Sequence, residues 1–150
     1  MFRIAPYKNT NLLDAEAKVN LAMVVEENGK MVNKFFPLTL EFNTVTSLTL
    51  SWTIVHPITE ESPLYNFTKE DFSNNTGEVL VFIKSFDDMF SNIVVARTSY
   101  IFNEVVFGAK FKPMYKSSDD SKKTILFIDK LNSFVPAELV TEKTSESAPV

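Results

Sequence analysis

His56 is the only histidine in the chain, so any Ser-His-Asp relay or histidine-ligated metal would have to pass through it. One imidazole cannot build a metal cage alone. Its setting, Trp52-Thr53-Ile54-Val55-His56-Pro57, is the end of an apolar strand pattern, where a histidine serves as a structural hydrogen-bonding group. The acid pairs Asp87-Asp88 and Asp119-Asp120 raise divalent-cation binding, but a calcium loop needs several oxygen ligands at set spacing and a glycine at its bend. Neither pair has that frame. Phosphate-cradling glycine loops and a Gly-x-Ser-x-Gly elbow are missing from the sequence. Without cysteine there is no disulfide framework and no thiolate metal site. Asn66-Phe67-Thr68 and Asn74-Asn75-Thr76 match the glycosylation acceptor pattern, which recurs by chance and matters only in secreted chains. Enzyme chemistry is the weakest reading of these residues, and no metal or cofactor is expected.

With 150 residues and 45% apolar content, the chain can close one core, and its length asks for no second domain. A formal net charge of -4 argues against a nucleic-acid partner, which needs a basic face to hold phosphates. The absence of cysteine fits a reducing interior. No apolar run approaches the ~20 residues of a membrane-spanning helix, and the N-terminus lacks the pattern of a signal peptide. The chain as given is expected to be soluble. Met1 abuts Phe2-Arg3-Ile4, which already reads as structure, so the sequence is expected to be a fragment of a longer protein.

The elements that must position any site are strands. From Leu13, the residues Ala15, Ala17, Val19, Leu21, Met23 and Val25 share one face, while Asp14, Glu16, Lys18 and Asn20 share the other. Asn28-Gly29 predicts a tight hairpin, because both residues accept positive φ. Alternation predicts further strands over Phe36 to Phe42 and Leu48 to Ile54. More are expected at Val79 to Ile83, Ile93 to Ser99, Glu104 to Phe107 and Thr124 to Asp129, with a hairpin loop over Lys116 to Lys123. Thr68 with Asp71 three residues later predicts a capped helical turn. Seven or more strands with almost no helix predict an all-β sandwich spanning residues 1–140. Residues 141–150 are polar, lack an apolar period and are expected to be disordered.

Ser51-Trp52-Thr53-Ile54-Val55-His56-Pro57-Ile58 followed by Ser62-Pro63-Leu64-Tyr65 resembles the segment of inward-rectifier potassium channels that runs into a Ser-Pro-Leu turn. Ala96-Arg97-Thr98-Ser99-Tyr100, then Asn103-Glu104, Phe107-Gly108 and Phe111-Lys112-Pro113, are similar in order and spacing to later blocks of that family. Phe2-Arg3-Ile4-Ala5 and Leu12-Leu13-Asp14-Ala15-Glu16 resemble the start of its cytoplasmic domain, so the likeness covers roughly Phe2 to Leu139. It implies an immunoglobulin-like β-sandwich, four copies of which surround a conduit that continues the membrane pore on the cytoplasmic side of the inner membrane.

The resemblance also implies roles. Asp14 matches an acidic pore-lining position that attracts potassium ions in transit and polyamine or magnesium blockers; its place on the polar strand face agrees. The second acidic pore position falls on Lys84, a reversal of charge that implies weak block, and Asp88 matches another acid. The cytoplasmic gate loop aligns with Met89-Phe90-Ser91-Asn92-Ile93, with Ser91 and Asn92 closest to the axis and no glycine in the loop. Arg3 and Lys8 match basic positions that bind anionic lipid headgroups or couple to those that do. Arg97 is expected to make a structural ion pair between strands or subunits rather than a lipid contact. Implied partners are three further copies in a homotetramer and the chain's own transmembrane domain. Against this stands a free-standing binding or scaffold module of the same fold.

Overall fold

The computed structural model describes residues 1–8, 10–119 and 122–138. Within them the chain forms β1 (Phe2–Ile4), β2 (Leu12–Glu27), β3 (Lys30–Pro37), β4 (Thr44–Leu48), β5 (Trp52–Ile54), helix α1 (Lys69–Asn74), β6 (Gly77–Asp87), β7 (Asn92–Ile101), β8 (Ala109–Phe111), β9 (Tyr115–Ser117), β10 (Thr124–Leu126) and β11 (Phe134–Pro136). Two 3-10 turns, Phe102–Glu104 and Ile128–Lys130, complete it. The fold is all-β, as the immunoglobulin-like reading expects. The expected tail, 141–150, and Asp120 lie outside the described residues.

β2 organises the main sheet. Its alternation buries Ala15, Ala17, Val19 and Leu21 and turns Lys18 outward. Asn28 and Gly29, at φ 53° and 73°, close the β2–β3 hairpin with the twist that antiparallel strands prefer. On one edge of β2, β3 pairs with its C-terminal half and β4 with its N-terminal half; on the other, β6 pairs along most of its length and β7 lies beyond. β1–β5, β8–β11 and β9–β10 make three smaller antiparallel pairs. The core is one cluster between the inner face of the main sheet (Ala17, Val19, Leu21, Val81) and a second layer contributed by Trp52, Ile54, Leu64, Phe72 and Phe102.

Helix α1 begins where the capping pattern predicts. The Asp71 carboxylate accepts from the Thr68 N–H at 2.7 Å, and the Asp71 N–H donates back to Thr68 Oγ1 at 3.3 Å. The helix delivers Phe72 into an aromatic cluster, with ring centroids 4.8 Å from Phe102 and 5.1 Å from Phe107. Gly77 opens β6 directly beneath the Phe102 ring, where any Cβ would overlap ring carbons.

Four strand expectations need correction. β3 ends at Pro37, and Leu38 and Leu40 enter the core from a loop, because the chain leaves β3 to pair again with β2 as β4. Leu48 to Ile54 is not one strand: β4 pairs with β2 and β5 with β1, so the chain must bend between sheets. Glu104 to Phe107 is not a strand; the Glu104 carboxylate accepts from the Ile101 N–H at 2.9 Å and closes a 3-10 turn instead. Thr124 to Asp129 pairs only as far as Leu126 before the second 3-10 turn.

Candidate functional site

β2 and β6 run antiparallel in register except at one place. Leu13 faces Phe86 and Glu16 faces Lys84, so Asp14 and Ala15 together oppose the single residue Ser85. This is a β-bulge, a device that bends a strand and re-aims a side chain. Ala15 points into the core with no exposure and Asp14 points out, at φ 47°. The bulge shifts the alternation, so Leu12 rather than Leu13 packs against the core.

Asp14, Glu16, Lys84, Ser85, Phe86 and Ile93 line one open depression of about 340 Å³. Asp14 and Lys84, expected to share a pore lining, are thus brought together on one exposed face. Glu16, the register partner of Lys84, pairs with Lys18 at 3.4 Å. Both side chains are solvated, so that ion pair contributes little stability.

The expected gate segment is the tip of the β6–β7 hairpin, and Ile93 continues it into the depression. Asp87 is buried, and its Oδ1 accepts from the N–H groups of Met89 (3.0 Å) and Phe90 (3.3 Å), which shapes the tip. Ser91 takes the left-handed φ of 51° that the glycine-free turn requires. Asp88 is tied to the segment before β2: Asn11 Nδ2 donates to its carboxylate at 3.1 Å, and its N–H donates to the Asn11 carbonyl at 3.3 Å.

The two N-terminal basic residues diverge. Lys8 is exposed. Arg3 is 8% exposed, and its guanidinium donates to the carbonyls of Lys112 (2.6 Å), Lys130 (2.8 Å) and Leu131 (3.0 and 2.6 Å) while lying 4.4 Å over the Phe111 ring. Burial lowers its pKa from the ordinary value, yet a guanidinium stays protonated. Arg97 is exposed on β7 opposite Phe82.

His56 is structural, as its setting predicts. Its Nδ1 lies 2.6 Å from the Thr39 carbonyl, which can only accept, so Nδ1 carries the proton. Nε2, 2.7 Å from Ser62 Oγ, then accepts from that hydroxyl, and Ser62 Oγ accepts from the Leu64 N–H at 3.1 Å. The network joins the loop after β3 to the Ser-Pro-Leu turn.

Ser85, Asn11 and Glu16 were not singled out from the sequence. One signal pointed to Ser85: on β6 it shares the inward phase of Val81 and Ile83, where a polar residue needs a partner.

Comparison with known proteins adds an independent finding. The family described as the inward rectifier potassium channel C-terminal domain matches residues 1–147. The inward rectifier potassium channel Kirbac3.1 of Paramagnetospirillum magnetotacticum is 29% identical over 128 residues, 83% of this chain and 43% of that protein. The ATP-sensitive inward rectifier potassium channel 12 of Mus musculus is 32% identical over 62 residues, 41% of this chain and 14% of that protein. The chain therefore spans less than half the length of these relatives.

Proposed function

The chain belongs to the inward rectifier potassium channel C-terminal domain family, and from that premise we propose that it forms the cytoplasmic section of a homotetrameric potassium pore. It guides cations toward a membrane-embedded half and couples to its gate, with no covalent step. The observation that supports this most directly is the exposed depression that gathers Asp14, Glu16 and Lys84 beside the tip of the β6–β7 hairpin. Cyclic four-fold assembly turns such a patch into rings of charge around an open axis. Rings of carboxylates raise local cation concentration and favour positive charge in transit.

Lys84 works against Asp14 in this arrangement. Four lysines near the axis oppose entry of polyamines and magnesium from the cytoplasmic side, so block is weak; Glu16 across the strand pair and Asp88 four residues on offset part of that charge. The hairpin tip, Ser91 and Asn92, is the cytoplasmic constriction. At the membrane side, Lys8 meets anionic headgroups, a contact worth about 1 kcal/mol. Arg3, its donors spent on carbonyls, acts by coupling the N-terminal strand to the segment around Leu131. The domain lies on the cytoplasmic face of the cell membrane, and potassium is cargo, not a resident cofactor.

Translating the reading frame upstream of Met1 tests the assignment. Two apolar stretches of ~20 residues flanking a short filter segment are expected. A stop codon there would instead make this a free-standing relative and remove the pore roles of Asp14 and Lys84.

A further inference from the structure

Asp14 occupies the left-handed position, φ 47°, that a bulge of this geometry ordinarily gives to glycine. Aspartate enters this region more readily than most side chains but still at a cost relative to glycine, so contacts that hold the backbone there matter. Three contacts hold it. The Ser85 hydroxyl donates to the carbonyl of Leu13, the residue before Asp14, at 2.8 Å, and Ser85 is only 3% exposed. Ala15, the residue after, is fully buried and pairs with Val45 of β4. Upstream, Asn11 is bonded to Asp88 through both backbone and side chain. Of these, the Ser85 bond alone is a buried side-chain contact made from the position that faces the bulge.

We propose that Ser85 is a positioning residue for the pore: by bonding the Leu13 carbonyl it locks the bulge that turns the Asp14 carboxylate out of the sheet and into the charged depression. The role in the pore rests on the reading of Asp14 given above; the lock itself does not. A glycine at position 14 would hold this backbone at no cost but lose the carboxylate. Keeping both the bulge and the charge requires a second group to hold the backbone, and the polar residue on the inward phase of β6 supplies it. Ser85 touches no permeating ion, and its effect passes through Asp14.

NMR on the 150-residue chain reads the lock directly, since a residue at positive φ has a characteristic HN–Hα coupling and a strong intraresidue Overhauser effect. In Ser85→Ala, the Asp14 signature should average toward extended values. Exchange protection of amides between Leu13 and Glu16 should fall about tenfold, the scale of one lost hydrogen bond. Val81→Ala, which loosens the same strand without touching Leu13, should leave the Asp14 signature intact. In an Asp14→Gly background the loss caused by Ser85→Ala should shrink to under about threefold, because glycine holds the left-handed conformation unaided. Retention of the Asp14 signature in Ser85→Ala would overturn the proposal, as would an equal loss in both backgrounds. Should Asp14 move in Ser85→Ala while Asp14→Asn leaves spermine block of the full channel unchanged, the lock stands and the pore reading fails.

Discussion

Arg3→Ala should destabilise the domain by about 3–5 kcal/mol, because carbonyls left without their donor cost about 1–3 kcal/mol each and the cover over Phe111 is lost with them. The guanidinium makes four hydrogen bonds to three carbonyls and covers an aromatic ring. Hydrogen bonds from a charged donor are worth roughly 1.5–3 kcal/mol each, and the stacking on Phe111 about 0.5–2. These do not add, because the four bonds share one group and Lys130 O also accepts from the Ser133 N–H. Against a total stability of about 5–15 kcal/mol the loss is large. Arg3→Lys should recover less than half of it, since an ammonium cannot span three carbonyls with a planar fork. Urea unfolding followed by Trp52 fluorescence suits the test: Trp52 is the only tryptophan and the register partner of Ile4, next to Arg3. A cost under about 1 kcal/mol, or full rescue by lysine, would refute the clamp, since exposed ion pairs give no more than that.

Gly77→Ala should cost about 2–3 kcal/mol, because the new methyl collides with a Phe102 ring that is itself packed against Phe67 and Phe72; near-ultraviolet circular dichroism and the urea midpoint should both report it. Helix α1 should loosen in acid. The backbone and side-chain hydrogen bonds from Thr68 hold the Asp71 pKa below its ordinary value. The cap's contribution is therefore complete above the unfolded carboxylate pKa of about 4 and lost as pH falls through the lower folded value. Amide exchange of the helix in Asp71→Asn should lose that pH dependence. His56→Ala should leave the Ser62 hydroxyl without its acceptor and cost about 1–3 kcal/mol in thermal or urea unfolding.

Local signals read well from the chain. The alternation of β2, the Asn28-Gly29 turn and the Thr68–Asp71 cap each depend on neighbours a few residues apart, and each stands where expected. The misplaced strands failed for a non-local reason. Leu38 and Leu40 alternate like a strand but have no partner strand, because β2 offers that edge to β4 instead. Glu104 ends its run by capping Ile101, a three-residue contact that apolar periodicity does not register. The bulge was hidden because Leu12 and Leu13 are both apolar, so a one-residue slip leaves the pattern unchanged. The pore roles proposed for Asp14 and Lys84 come from the family resemblance, whereas Ser85 shows itself only when its inward phase on β6 is set against the carbonyl it meets. Arg3 was legible as a conspicuous cation, but its carbonyl partners lie 109 to 128 residues along the chain.

Asp14 and Lys84 are proposed to face a cation pathway with opposing effects. Potassium flux through the full channel carrying this domain, in liposomes titrated with spermine on the cytoplasmic side, tests it most directly. Weak block is expected for the native sequence. Lys84→Glu should tighten it about tenfold or more, and Asp14→Asn should weaken it further; asparagine tolerates the left-handed backbone, so only the charge is removed. Strong block in the native channel that is indifferent to both substitutions would contradict the account.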